Sequence, residues 1–216
     1  MKTVKLFVEG GGDSHLLRVK CRAAFNNFLK ESGLAGMLPR IIASGPRQAA
    51  YDDFCTAINN DEEAVLLVDS ETEVIFPSDD NSITADPKTW KPWHHLKNRQ
   101  GDNWDKPAGA SDEDCHLMVQ IMESWFFADV EALKRYYGQG FSENAIPKRQ
   151  DIEKISKHDI LDILSKVTNR TQKGKYNKGA HSFEILEIID PHKVVNQSPW
   201  AKRFVDLLSD KMRCPM

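Results

Sequence analysis

Residues 64–68 (Ala-Val-Leu-Leu-Val) form an apolar run with no polar residue at alternate positions. A strand that is apolar on both faces must be covered on both, as in the middle of a parallel sheet flanked by helices. Two further short runs, 4–8 and 39–43, read as strands ahead of it. Between the first two, Ser14 is suited to cap a helix running to about Ser32, with Leu16, Leu17, Ala24, Phe25, Phe28 and Leu29 as its apolar stripe. Gly33 and Gly36 end that helix. Pro46 suits the first position of a second helix running to about Asn59. A strand–helix–strand–helix–strand order implies right-handed crossovers and an α/β fold with a mainly parallel sheet flanked by helices.

Residues 72–114 lack periodicity and are rich in Pro, Asp, Asn, Lys and Trp, too long a stretch for an ordinary connection. A strand is expected again over 115–122 and a helix over 123–137, broken by Gly138 and Gly140. Helices are expected over 151–167, 182–189 and 199–211, with a polar, basic loop at 169–180. The division that follows is an α/β domain over 1–146, with a long insertion at 72–114, and a helical C-terminal portion over 147–216 packing on it.

Charge is unevenly spread along the 216 residues. The net charge is −3, yet 48–87 hold eleven Asp or Glu and no Lys or Arg, while 147–216 hold fourteen Lys or Arg against nine Asp or Glu. An acidic part that could hold cations beside a basic part that could hold a polyanion suits metal-dependent work on nucleic acid, although solvated faces of unequal sign would look the same. Cys21, Cys55, Cys115 and Cys214 are far apart with no CxxC pair, so reduced thiols are expected and a zinc site is not. No apolar run approaches the roughly 20 residues of a membrane span. Glu9 comes too early for the apolar core of a signal peptide, which makes the cytoplasm the expected compartment.

The two strands at 4–8 and 64–68 both end in acids: Glu9 and then Asp13 after the first, Asp69 and Glu71 after the second. The carboxyl edge of an open α/β sheet is where ligands bind. Oxygen ligands there suit Mg²⁺ or Mn²⁺, which bind through a few carboxylates, water and substrate phosphate. Asp69 and Glu71, spaced i, i+2, point to one side of an extended chain. The glycines at 10–12 permit close backbone approach, but the Lys and second glycine of a Walker A loop are missing and GxGxxG does not fit. Glu123, following the 115–122 strand, could reach the same edge as a further ligand, or serve only as a first-turn acid favoured by the helix dipole. In the basic loop, Lys178 is the candidate to neutralise charge developing on a phosphate. Lys173, Lys175 and Arg47 are candidate nucleic-acid contacts. Trp90, Trp93 and Trp104 lie among basic residues, a pattern that suits stacking of unpaired bases and equally suits anchoring an irregular loop.

The order Glu9-Gly10-Gly11-Gly12-Asp13 followed by Asp69-Ser70-Glu71 resembles the toprim domain, whose pattern is E-G-x-x-D and then D-x-D, and which is shared by topoisomerases, bacterial primases and OLD-type nucleases. The last acid is Glu here, where the family has Asp. Val8-Glu9-Gly10, Leu67-Val68-Asp69 and the stretch 118–129 are similar to a branch of small bacterial toprim-like proteins related to OLD nucleases, some encoded beside ABC- or AAA-type ATPases in anti-phage systems. The resemblance covers roughly the whole chain and is weakest over 72–114. It implies a Rossmann-like toprim fold, Glu9 as acid/base or metal ligand, and Asp69 and Glu71 as holders of Mg²⁺ or Mn²⁺. It further implies cleavage of DNA or RNA, in which two metals about 4 Å apart stabilise the attacking and leaving oxygens. Two other readings stand beside it. One is a non-catalytic subunit that docks an ATPase or nucleic acid; the other is a small-molecule phosphohydrolase, which the missing D-x-D-x-[TV] motif disfavours.

Overall fold

The computed structural model describes residues 3–75, 86–148 and 151–213. Its sheet has four parallel strands in the order β2-β1-β3-β4: β1 (Lys5–Glu9), β2 (Arg40–Gly45), β3 (Ala64–Asp69) and β4 (Cys115–Met118). As the apolar run implied, every residue of β3 is buried. Successive side chains alternate faces, and the core divides accordingly. Leu6, Val8, Val65 and Leu67 belong to one hydrophobic cluster, and Phe7, Leu66 and Val68 to another.

On the first face lie α1 (His15–Leu29), capped by Ser14 as expected, and α6 (Lys178–Leu186). On the second face lie α2 (Arg47–Asn59) and α3 (Pro92–Asn98). The C-terminal helix α8 (Pro199–Arg213) packs against β4 and contributes Trp200 to one cluster and Phe204 and Leu208 to the other. It thereby covers an edge strand that would otherwise offer unpaired backbone groups. α4 (Val130–Tyr137), α5 (Lys157–Thr168) and α7 (Pro191–Gln197) complete the α-helices among the described residues. None of the described helices is long and apolar enough to cross a membrane.

Several expectations need correction, among them the helix over 151–167, which begins at Lys157 after a 3-10 turn at Ile152–Lys154. The strand over 115–122 ends at Met118, and the helix over 123–137 begins as a 3-10 segment, Met122–Asp129, before α4. All eight residues of that segment are buried, so no solvent face exists to give it an amphipathic period. α6 starts at Lys178 and not at 182, because Asn177 accepts a hydrogen bond from the Ala180 N–H and caps it. The stretch between α6 and α8 forms α7, which the periodicity did not predict. Cys214 lies outside the described residues; Cys21 and Cys115 are buried and Cys55 is half-buried, all three as free thiols.

Candidate metal centre

Adjacent parallel strands bring two acids to one edge. β1 ends at Glu9 and β3 at Asp69, and the β1–β2 register shifts between Val8 and Glu9. Glu9 Oε2 accepts hydrogen bonds from Arg47 Nη1 (3.2 Å) and from the Asp69 N–H (3.3 Å). Beyond β3 the chain runs beside the residues that follow β4: the Ser70 N–H donates to the Met118 carbonyl and the Glu71 N–H to the Gln120 carbonyl. Glu71 adopts a left-handed backbone, φ 67°. One carboxylate oxygen from each of Glu9, Asp69 and Glu71 then lies within 4.8 Å of the others.

The wider setting is as charged as the three acids. Asp69 is 2% exposed; its Oδ1 accepts from the Met122 N–H (2.8 Å), and its Oδ2 faces Lys178 Nζ at 3.5 Å. Glu123, fully buried, accepts from the Tyr176 hydroxyl at Oε1 (2.7 Å), while Oε2 lies 3.6 Å from Lys178 Nζ and has no hydrogen-bond partner among the described residues. Glu71 pairs with Lys157 and, at 3.8 Å, with Arg99. Burial, and the Glu9 carboxylate beside it, push the Asp69 carboxyl well above the ordinary carboxylate range against the pull of Lys178. Although desolvation lowers it, Lys178 is held above the usual lysine range by Asp69, Glu123 and Glu9 and stays an ammonium. A half-buried set of carboxylate oxygens held in this way offers only hard donors, which fit Mg²⁺ or Mn²⁺ and not a soft metal.

Of the expected ligands, Glu9, Asp69 and Glu71 converge, and Glu123 joins them through Lys178. Asp13 is exposed in the turn before α1, outside the three-acid group. Arg47, expected as a nucleic-acid contact, is engaged within the chain. Its Nε and Nη2 donate to the Asp102 carboxylate (2.9 and 2.7 Å), its Nη1 donates to Glu9 and to the Asp69 carbonyl, and the guanidinium lies over the Trp104 ring at 4.8 Å. Its donors serve the interior of the site. Lys173 lies over the Tyr136 ring at 4.5 Å, and Lys175 is exposed. Trp90, Trp93 and Trp104 are buried against α2 and α8 and offer no free face for a base.

Sequence reasoning missed Asp102, Arg99, Lys157, Tyr176 and His95. His95 Nε2 lies 2.8 Å from the Ser70 carbonyl, and burial, with Arg47 and Arg99 nearby, lowers its pKa, so that a neutral ring holds the turn between Asp69 and Glu71. Nothing in their spacing announces these residues: Arg99, Asp102 and Tyr176 lie in irregular segments, His95 in the short α3 of the insertion, and Lys157 at the start of a distant helix. No curated protein and no solved structure matches the chain. Residues 8–209, nearly its full length, match a family described as a domain of unknown function, DUF4276. With β2 to β4, the carboxylates and the lysine-bearing helix inside that match, the chain belongs to the DUF4276 family.

Proposed function

We propose that this protein is a metal-dependent nuclease of the toprim type, cleaving phosphodiester bonds of DNA or RNA with Mg²⁺ or Mn²⁺ held by Glu9, Asp69 and Glu71. The observation that carries the proposal is the convergence of those three carboxylates within 4.8 Å at the carboxyl ends of adjacent parallel strands. Such a metal, when bound, supplies positive charge to phosphate oxygens and activates water. The chain's own residues do the rest. Arg47 and the Asp69 N–H fix Glu9, the Met122 N–H fixes Asp69, and Gln120 and Lys157 hold the Glu71 turn. Lys178, braced between Asp69 and Glu123 yet half-exposed, offers its ammonium to charge developing on the phosphate. The toprim resemblance adds a setting, an effector of a bacterial anti-phage system working with an ABC- or AAA-type ATPase.

A second reading has its own support. Glu9, Asp69 and Glu71 each already face a basic side chain: Arg47, Lys178 and Lys157 respectively. A cluster neutralised from within could persist in a binding subunit that docks nucleic acid or an ATPase without chemistry. Cleavage of single- and double-stranded DNA and RNA, run with Mn²⁺ titration by thermal shift, separates the two. The nuclease reading expects a Mn²⁺-dependent rise in melting temperature and cleavage that falls by about 10²-fold or more in Asp69→Ala and Glu9→Gln, the scale of losing a charge-stabilising group. Equal cleavage in those variants overturns it. Neither shift nor cleavage, with a partner still retained, establishes the binding subunit; hydrolysis of a simple phosphomonoester alone points to a phosphohydrolase.

A further inference from the structure

A cavity of about 240 Å³ is lined by Glu9, Asp69 and Lys178. Apart from Ser182, the remainder of its lining is apolar or lacks a side chain. Leu17, Met118, Met122 and Phe183 supply the apolar surface, and the Gly10–Gly12 turn and Gly179 supply bare backbone. The turn is bound to glycine: Gly11 has φ +85°, and a Cβ there would meet the backbone of Arg18 at 2.8 Å. The Ser182 hydroxyl, also on the wall, is spent on the Lys178 carbonyl at 2.5 Å. Away from the acids and the lysine, the slot therefore presents thioethers, an aromatic ring and glycine backbone, with few polar side-chain groups.

We infer that this slot receives the nucleobase of the nucleotide whose phosphate meets the carboxylates, and receives it without regard to which base it is. The inference rests on the phosphodiester reading and names the substrate's form. Away from the acids and the lysine, a sugar would bring several hydroxyls against side chains that are mostly apolar and cannot pair them. A base brings a flat π-face that Met sulfurs and the Phe183 ring can cover. Contact through stacking alone tolerates every base. A base can enter only when it is out of a duplex stack, so the substrate is a single strand or an unpaired nucleotide.

The test is calorimetric binding of adenosine and cytidine 5′-monophosphates and of ribose 5-phosphate to the full chain, with and without Mn²⁺. Both nucleotides should bind with similar Kd, each about tenfold or more tighter than ribose 5-phosphate, the effect of one stacked base. Gly179→Leu fills the slot from α6, where the backbone is ordinary and the nearest atoms are Asn177 Oδ1 at 3.5 Å and Leu17 Cδ1 at 3.8 Å. It should bring the nucleotides to the level of ribose 5-phosphate and leave Mn²⁺ affinity unchanged. If that variant does not melt cooperatively, Leu17→Trp fills the slot from α1 with the same expected result. Equal binding of nucleotide and ribose 5-phosphate, or wild-type nucleotide affinity in the filled variants, overturns the inference while Mn²⁺ binding leaves the metal reading standing. A more than tenfold preference between the two bases overturns the indifference to base. Nucleotide preference without any Mn²⁺ binding keeps the slot and removes the metal.

Discussion

Arg47 stands at the first position of α2 with its guanidinium enclosed by Asp102, Glu9, the Asp69 carbonyl and the Trp104 ring. Its planar fork meets the Asp102 carboxylate with two parallel bonds, a geometry lysine cannot reproduce. Desolvation works against the charge, but Asp102 and Glu9 more than offset it, and the pKa is raised. Arg47→Met keeps the hydrocarbon stem over Trp104 and removes the cation, leaving Asp102, itself 3% exposed, with Arg99 as its remaining basic partner. Removing one partner of a buried pair typically costs about 3–5 kcal/mol. Arg47 retains some exposure, so the expected loss in urea unfolding without metal is about 3 kcal/mol. A change below about 1 kcal/mol would show that Arg47 is not the clamp described. In sequence, Arg47 was only a cation at a helix start. The acids it serves lie 38 and 55 positions away, and no periodicity links them.

At the level of elements, the insertion after β3 is held by stacked rings. Tyr51 of α2 stacks on Trp104 with centroids 4.5 Å apart and planes 4° from parallel, Trp104 Nε1 donates to Gln48, and Trp93 packs against Phe54 and the edge of Tyr51. Asp102 and Arg99, which complete the charge network of the site, ride on this anchored segment. Trp104→Ala should therefore cost about 3–5 kcal/mol, the range for deleting a large buried aromatic, measured by urea denaturation, and a substitution near neutral would return Trp104 to the pool of base-stacking candidates. The regular elements up to β3 were legible because each carries its own period and its own stop: a buried run for β3, Ser14 and Pro46 at helix starts, Gly33 and Gly36 after α1. The 3-10 segment Met122–Asp129 was not, since a stretch buried on every side shows no period. The tryptophans were ambiguous in sequence because the same residues suit a solvent-facing stack and a buried anchor, and only the packing partners on α2 and α8 decide between them.

Over the whole molecule, strand order does what spacing cannot. Sequence places Glu9 and Asp69 at strand ends, but their meeting depends on β1 and β3 being neighbours in the order β2-β1-β3-β4, and Lys178 arrives from more than a hundred residues further on. The same long-range closure fastens the C-terminal helix to the far edge. Arg203 of α8 is fully buried and donates to the carbonyls of Pro87, Asp112 and Cys115, while its Nη1 lies 3.0 Å from His116 Nδ1 on β4. His116 is buried, and its ring meets Phe204 edge-on at 5.2 Å. Since Arg203 can only donate, Nδ1 must keep its lone pair, and the ring is neutral. Burial, with Arg203 and Lys211 adding their charge, lowers the His116 pKa well below its ordinary value. The unfolded chain takes up a proton at this position below about pH 6.5, whereas the folded chain does not. Stability from this source is thus complete above that pH and is lost as the pH falls, by about 1.4 kcal/mol per unit for one proton. His116→Asn keeps an acceptor for Arg203 and removes the titration. Between pH 7 and pH 5 its unfolding free energy should fall less steeply than that of the wild type, by about one proton's slope. Parallel curves for the two proteins would mean that His116 is free to ionise in the folded state and that Arg203 does not fasten α8 to β4 through it.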